Sequence, residues 1–374
     1  MKILLLANTD WYLFNFRRSL AQALRDAGHD VLLASPAGPY GQRLRDLGFS
    51  WVPVPLARRS LNPLRELAFV AWLVRLLREH EVQLVHGFTI KCAVYGALAA
   101  RWLGLPRVSA VAGMGYVFTS DEPLARLLRP LVRQLMRLAL DGRQARLILQ
   151  NPDDLAWCRQ ARVVDETRLR LIPGSGVDCQ RFQPAPATGN TPLRAVLPAR
   201  LLGDKGVREF VQAARLLQAQ AVPVQCLLAG TPDPGNPASI AEAEVRDWVA
   251  EGVVSWLGHV DDMPALLASV DMVVLPSYRE GLPKGLIEAA ACAKALITTD
   301  VPGCRDVVTH EENGLLVPVK QVVPLAAAMH RLATNVELRS KLGQAARARA
   351  EREFDERQVI ARTLAVYAEL LPMP

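Results

Sequence analysis

Short apolar runs alternate with longer segments in which apolar residues recur every three or four positions, and the alternation continues along nearly the whole chain. In the first half the strand-like runs are Lys2 to Ala7, Asp30 to Ala34, Gln83 to His86, Arg107 to Ala112 and Arg146 to Leu149. Segments of helical period separate them, notably Phe16 to Ala27 and Leu64 to Glu79. The stretch from Pro173 to Pro192 breaks the pattern with Pro, Gly, Ser and Asn, as a connection between domains does. A second series follows, with strands at Ala195 to Pro198, Gln225 to Ala229, Val253 to Leu257, Met272 to Leu275, Leu296 to Thr299 and Leu315 to Val317. Between the first two, residues 207 to 220 place Val207, Phe210, Val211, Ala214 and Leu217 on one helical face.

Strands alternating with helices predict parallel sheets covered on both faces. The expected class is α/β, with two Rossmann-like doubly wound domains facing a central cleft. Residues 1 to 172 form the first, 173 to 192 the connection and 193 to 353 the second, while 354 to 374 form a closing helix. Ligands of such sheets bind at the carboxyl ends of the strands.

The chain has 374 residues, of which 51% are hydrophobic and 22% charged, a globular composition that excludes disordered and fibrous classes. Cys92, Cys158, Cys179, Cys226, Cys292 and Cys304 form no CxxC pair, and no histidine lies at ligand spacing, which argues against a disulfide scaffold or a zinc ribbon. The apolar run behind Lys2 is too short for a secretory leader, and no apolar run approaches the roughly 18 residues that span a bilayer. The expected location is therefore the cytoplasm. Charge is uneven: residues 1 to 172 hold 24 basic and 14 acidic residues, residues 173 to 374 hold 20 and 23. The first half therefore suits an anionic partner.

The segment Ser277-Tyr278-Arg279-Glu280-Gly281-Leu282-Pro283-Lys284-Gly285-Leu286-Ile287-Glu288 follows a strand directly, where doubly wound folds keep their ligands. Its glycines permit close backbone approach, and a helix opening near Pro283 aims free N–H groups outward. Alone, Glu280 and Glu288 read as a cap and a surface charge. Upstream, however, Arg200 and Lys205 stand five apart on another loop between a strand and a helix. Two cations beside a helix N-terminus suit a diphosphate, Arg by a two-pronged contact and Lys as a point charge.

With these residues in view, the chain resembles a retaining glycosyltransferase of family 4, whose two-domain architecture is called GT-B. The matching pieces are Arg200 to Gly206, Gly258-His259-Val260, the pair Glu280 and Glu288, and Asn313-Gly314-Leu315-Leu316-Val317. Within that family it is most similar to bacterial enzymes that extend surface or lipid-linked glycans, through His86-Gly87-Phe88-Thr89-Ile90-Lys91, Gly113-Met114-Gly115-Tyr116-Val117-Phe118 and Ser175-Gly176-Val177-Asp178.

The resemblance implies a transfer from a nucleotide sugar, expected to be a UDP-sugar, to a hydroxyl of a polyprenyl-diphosphate-linked or other cell-surface glycan, with retention of configuration. The transferred group is expected to be a hexosyl or N-acetylhexosaminyl unit, in lipopolysaccharide, O-antigen, capsule or lipid-linked oligosaccharide synthesis. It assigns Arg200 and Lys205 to the diphosphate, and Glu288 to the ribose hydroxyls. Glu280, with the N–H groups of Gly281 and Leu282, is assigned to the sugar, Gly258 to Val260 to the base, and His86 to the sugar from the first domain. No metal and no further cofactor are expected. One departure stands out: where many members have a glycine pair after the first strand, this chain has Asn8-Thr9-Asp10-Trp11-Tyr12-Leu13-Phe14-Asn15-Phe16-Arg17, which is assigned no catalytic role.

Arg126, Arg129, Arg133 and Arg137 recur at spacings of three and four, beside Leu124, Leu127, Leu128, Leu131, Leu135 and Leu138. Such a helix can lie on an anionic inner membrane leaflet, and Arg58, Arg59 and Arg65 can extend the patch or contact the acceptor's phosphates. Nucleic acid is not an expected partner, since the basic residues lack interleaved aromatics and a recognised motif. A nucleotide-sugar epimerase of the same fold and a non-catalytic sugar-nucleotide binding protein are the competing readings.

Overall fold

The computed structural model describes residues 1–57, 60, 62–111, 123–186, 189 and 191–370, with side chains in the helix Pro123–Leu140 described from 129 onward except 131. The chain divides into two compact units. One comprises Met1–Ser175 and Val359–Pro374, the other Gly176–Gln358.

In the first unit the described strands are β1 (Lys2–Leu6), β2 (Asp30–Ser35), β3 (Ser50–Pro53), β4 (Leu84–Phe88), β5 (Arg107–Val111), β6 (Ala145–Leu149) and β7 (Leu169–Leu171). They form one parallel sheet in the order β3-β2-β1-β4-β5-β6-β7. The chain winds outward from β1 to β3, then returns to the middle at β4 and winds the other way. The direction of winding therefore reverses between β1 and β4. Alternate residues of β1 supply both faces, which is why its sequence is apolar throughout. Ile3 and Leu5 pack with Leu20, Leu24, Val359, Val366 and Tyr367; Leu4 and Leu6 pack with Phe69, Leu73 and Leu77. Each such buried Leu or Ile contributes about 1.5–3 kcal/mol.

Short edge strands β3 and β7 escape the sequence reading because each carries few apolar residues. The helix Ile90–Trp102 escapes it for the opposite reason: Cys92, Ala93, Val94, Ala97, Ala99 and Ala100 are all buried, so no one-sided stripe remains. After β1 the chain forms a turn of α-helix at Asp10–Tyr12 and a π-helical turn at Leu13–Arg17 before the regular helix Arg18–Asp26. The predicted helix start at Phe16 therefore falls within the π turn.

In the second unit the described strands are β8 (Leu193–Pro198), β9 (Val224–Ala229), β10 (Ser255–Gly258), β11 (Met272–Leu275), β12 (Ala295–Thr299) and β13 (Leu315–Val317). Their order is β10-β9-β8-β11-β12-β13, parallel throughout, so the winding reverses between β8 and β11. Val207, Phe210, Val211, Ala214 and Leu217 of the helix Val207–Ala219 are buried against one face of this sheet. The second unit begins at Gly176, and Val177, Cys179 and Phe182 belong to its core on the other face. These residues lie in the stretch 173 to 192 that composition assigns to a connection; its Pro and Gly content conceals apolar anchors. Near the end of the chain Phe354 stays in the second unit's core, while Val359, Val366 and Tyr367 of the helix Glu356–Ala368 enter the first unit's core. All six cysteines are buried and free. Among the described residues no helix is long and apolar enough to cross a membrane.

Candidate functional site

In the second unit two loops meet at the strand ends where the sheet reverses. The first leaves β8 at Pro198, carries Arg200, tightens into a 3-10 turn at Gly203–Lys205 and enters the helix Val207–Ala219. The second leaves β11 at Leu275, carries Ser277 and Glu280 and enters the helix Lys284–Ala291. The N–H of Tyr278 donates to the carbonyl of Asp204 at 2.8 Å, which ties the two loops together. Only glycine fits at 206: its φ is +71°, and a Cβ there would lie 2.2 Å from the carbonyl oxygen of Pro276. Gly303 plays the same part behind Glu280, whose carbonyl oxygen would meet a Cβ at 2.5 Å.

This suture brings side chains 75 residues apart into contact. Lys205 Nζ lies 2.5 Å from Glu280 Oε1, with both side chains largely shielded from solvent. Ser277 Oγ donates to the same oxygen at 2.7 Å. Ser277 is itself fully buried, and its carbonyl accepts from Thr299 Oγ1 on β12. Glu280 Oε1 thus receives two donors, which fixes the carboxylate plane and leaves Oε2 for another hydrogen bond. The backbone N–H of Glu280 donates to the Pro302 carbonyl at 3.1 Å and holds the loop from below.

Arg200 is 55% exposed at its side chain and pairs with Asp233 Oδ2 at 2.7 Å. Asp233 belongs to the loop after β9, which is bound to the Arg200 loop through Leu201 N–H to Thr231 O and Gly203 N–H to Ala238 O. Glu288 lies in the second turn of its helix and is buried. Burial raises its carboxyl above the usual range, while Lys284 and Arg181 pull it down. Lys284 Nζ stands 4.0 Å away. Gly281 and Leu282 occupy the turn before that helix, and Leu282 packs on the unit's core. Gly258 closes edge strand β10, His259 beyond it lies 3.5 Å from Asp261, and Val260 packs on the core.

The structure therefore joins Lys205 and Glu280 directly, sets Arg200 on the same loop as Lys205, and places Glu288 on the helix that follows Glu280. Gly258 to Val260 stand on the other side of β9. Sequence reading passed over Ser277 and Asp233 as functional residues. Ser277 lay inside the motif already quoted, whereas Asp233, 33 residues from Arg200, carries no local signal of its pairing.

In the first unit His86 sits in the middle of β4, not at a strand end, and is 1% exposed. Its Nδ1 is 2.5 Å from Tyr367 Oη, and its ring lies 4.0 Å from that of Phe88. Burial first and Arg17 second hold its pKa well below 6.5, so the imidazole is neutral.

The helix Pro123–Leu140 carries Pro130 inside it, with Arg133, Arg137, Leu135 and Leu138 exposed and Met136, Ala139 and Leu140 buried. The side chains of Leu124, Arg126, Leu127, Leu128 and Leu131, the pair Arg58 and Arg59, and the motif Gly113 to Phe118 lie outside the described residues. Among the described residues no group of three metal-ligating side chains converges.

Comparison with known proteins adds to this geometry. Residues 15–174 match the family model described as Glycosyl transferase 4-like domain, and residues 193–335 match Glycosyl transferases group 1. The chain is 28% identical to an N,N'-diacetylbacillosaminyl-diphospho-undecaprenol alpha-1,3-N-acetylgalactosaminyltransferase of Campylobacter jejuni, over 99% of both chains. It is 24% identical to a UDP-Gal:alpha-D-GlcNAc-diphosphoundecaprenol alpha-1,3-galactosyltransferase of Escherichia coli, over 80% of this chain and 79% of the other. Its fold is similar to that of Anabaena Alr3699/HepE, solved in complex with UDP, with a TM-score of 0.78 and 21% identity over 99% of this chain and 100% of that one.

Proposed function

We propose a specific reaction for this chain, which belongs to the family 4 glycosyltransferases of GT-B fold: it moves a hexosyl or N-acetylhexosaminyl unit from a UDP-sugar to a hydroxyl of a polyprenyl-diphosphate-linked glycan, with retention. The observation that carries the reading is the meeting of Lys205 and Glu280 at the reversal point of the second sheet, with Arg200 on the adjoining loop.

In this reading Arg200 and Lys205 turn from their carboxylate partners to the donor's diphosphate. They stabilise the charge that grows on it as the bond to the anomeric carbon breaks. Glu280 Oε2 accepts from a sugar hydroxyl, the N–H groups of Gly281 and Leu282 hold the sugar, Glu288 accepts from the ribose hydroxyls, and Gly258, His259 and Val260 flank the base. The acceptor oxygen attacks the anomeric carbon on the face from which the diphosphate departs, the bonding pair leaves with the phosphate oxygen, and that oxygen takes the acceptor's proton. The two cations supply the neutralisation, and no metal is invoked.

The polyprenyl-diphosphate acceptor is supported by the names of the Campylobacter and Escherichia relatives. Peripheral docking of the protein on the inner membrane surface is supported by the exposed side of the helix Pro123–Leu140, where Arg133 and Arg137 accompany Leu135 and Leu138.

The test is to incubate the purified protein with a panel of nucleotide sugars, with and without a polyprenyl-diphosphate glycan. The transferase releases nucleoside diphosphate and extends the glycan only when both substrates are present. Release or isomerisation without acceptor indicates an epimerase, and binding without turnover indicates a sensor.

A further inference from the structure

The first unit repeats at its own reversal point the arrangement that the second unit shows, with one difference. There too a cation follows the first strand: Arg17 ends the π-helical turn after β1, and its guanidinium lies 4.3 Å from the centre of the Phe88 ring at the end of β4. These are the two strands between which the winding reverses. In the second unit the corresponding cation, Lys205, meets the carboxylate of Glu280. Arg17 meets none. Among the described residues no carboxylate lies within ion-pair distance of it, and its one hydrogen bond runs from an η nitrogen to Tyr12 Oη at 3.0 Å. The carboxylate of Asp10, on the same connection after β1, is engaged by the N–H groups of Trp11, Tyr40 and Gly41.

Arg17 is only 5% exposed, so this is a charge removed from water without a counter-charge among the described residues. Such a charge is costly unless it serves a purpose. Stacking on Phe88 and on Tyr12, at 5.5 Å, returns part of that cost but satisfies no N–H. Two buried nitrogens at this place lack any hydrogen-bond partner: Arg17 Nε and His86 Nε2. The ring of His86 packs on the same Phe88, and Arg17 adds to burial in holding its pKa down. A guanidinium stacked at the carboxyl end of β4, with the unfilled Nε2 of His86 two residues before that end, suits an oxyanion when Tyr367 Oη donates to Nδ1 and leaves Nε2 to donate.

We propose that Arg17, with His86 beside it, is the recognition site of the first unit for a phosphoryl oxyanion of a substrate. The inference deepens the transferase reading, from which it takes the two possible sources of that group: the diphosphate of the nucleotide sugar and the diphosphate of the lipid-linked acceptor. The site itself is argued from the first unit alone.

The experiment isolates it by working in the full chain carrying Arg200→Ala and Lys205→Ala, which removes the cations of the second unit. Binding of inorganic pyrophosphate, UDP and a short-chain prenyl diphosphate is measured by calorimetry, before and after adding Arg17→Met. The expected result is residual pyrophosphate binding that falls roughly tenfold or more with Arg17→Met, as loss of a charge-assisted contact requires. Arg17→Lys, which keeps the charge but gives up the Nε donor, is expected to retain part of that affinity and covers the case in which Arg17→Met does not fold. A loss confined to UDP assigns the donor as the source; a loss confined to the prenyl diphosphate assigns the acceptor. Thermal melting gives a second readout. Removing an uncompensated buried charge is expected to raise the melting temperature of Arg17→Met, by on the order of 2 °C, whereas a residue retained only for packing would lower it. Unchanged pyrophosphate affinity in both variants overturns the proposal. None of these measurements needs turnover, so their failure is distinct from failure of the transferase reading.

Discussion

Lys205 and Glu280 stand 2.5 Å apart, Nζ to Oε1, although 75 residues separate them in the chain. Each comes from the loop after one of the two strands flanking the reversal of the second sheet. In the proposed reading, a cation for the leaving diphosphate and a carboxylate for the sugar are thus held against each other until substrate takes both.

Lys205→Ala should lower kcat roughly a hundredfold or more, the scale on which enzymes lose rate when one preorganised charge-stabilising donor is removed. Far-ultraviolet circular dichroism should be unchanged, because the side chain pairs with Glu280 and belongs to neither apolar cluster of the unit. Wild-type kcat in a folded variant would remove Lys205 from the mechanism.

In the proposed reading Ser277 contributes differently, by holding Glu280 rather than the substrate. Ser277→Ala should reduce kcat about tenfold through loss of one hydrogen bond to a charged group, yet leave UDP affinity as it was. Steady-state kinetics beside calorimetric UDP binding distinguish the two effects. Equal losses in both would mean that the whole loop had moved.

Burial raises the folded-state pKa of Glu288. Such a carboxyl favours folding below its unfolded pKa, and that advantage is lost as pH rises through the folded value. Ionised Glu288 is therefore a cost at neutral pH, which the proposed ribose contact accounts for. Glu288→Gln should melt higher than wild type at pH 7 by about one to a few degrees, with the difference vanishing below the usual value of 4.5. The same variant should bind UDP roughly tenfold more weakly. Unaltered UDP affinity would count against ribose recognition.

For the membrane, charge reversal at Arg133 and Arg137 should lower partitioning onto vesicles with anionic lipid by on the order of a hundredfold at low salt, at about 1 kcal/mol for each basic residue near the surface. Sedimentation with neutral and anionic vesicles measures it. Partitioning indifferent to the reversal would leave the arginines as ordinary solvated residues.

What could be read from the chain alone was whatever repeats locally. Strand cores such as Ile3 to Leu6 and Met272 to Leu275 announce themselves because parallel strands buried on both faces must be apolar throughout. The loops after β8 and β11 were legible because turn and phosphate chemistry restricts residue type over a few positions. Tertiary structure alone decided what distant segments do to one another. It set Ser277 and Lys205 on one oxygen of Glu280, turned Arg200 to Asp233, placed Tyr367 of the last helix against His86, and buried Arg17 over Phe88 with no counter-ion among the described residues. The physical reason is that propensity and periodicity act over a few residues, whereas the partner and burial of a charge depend on which strand ends the sheet order brings side by side.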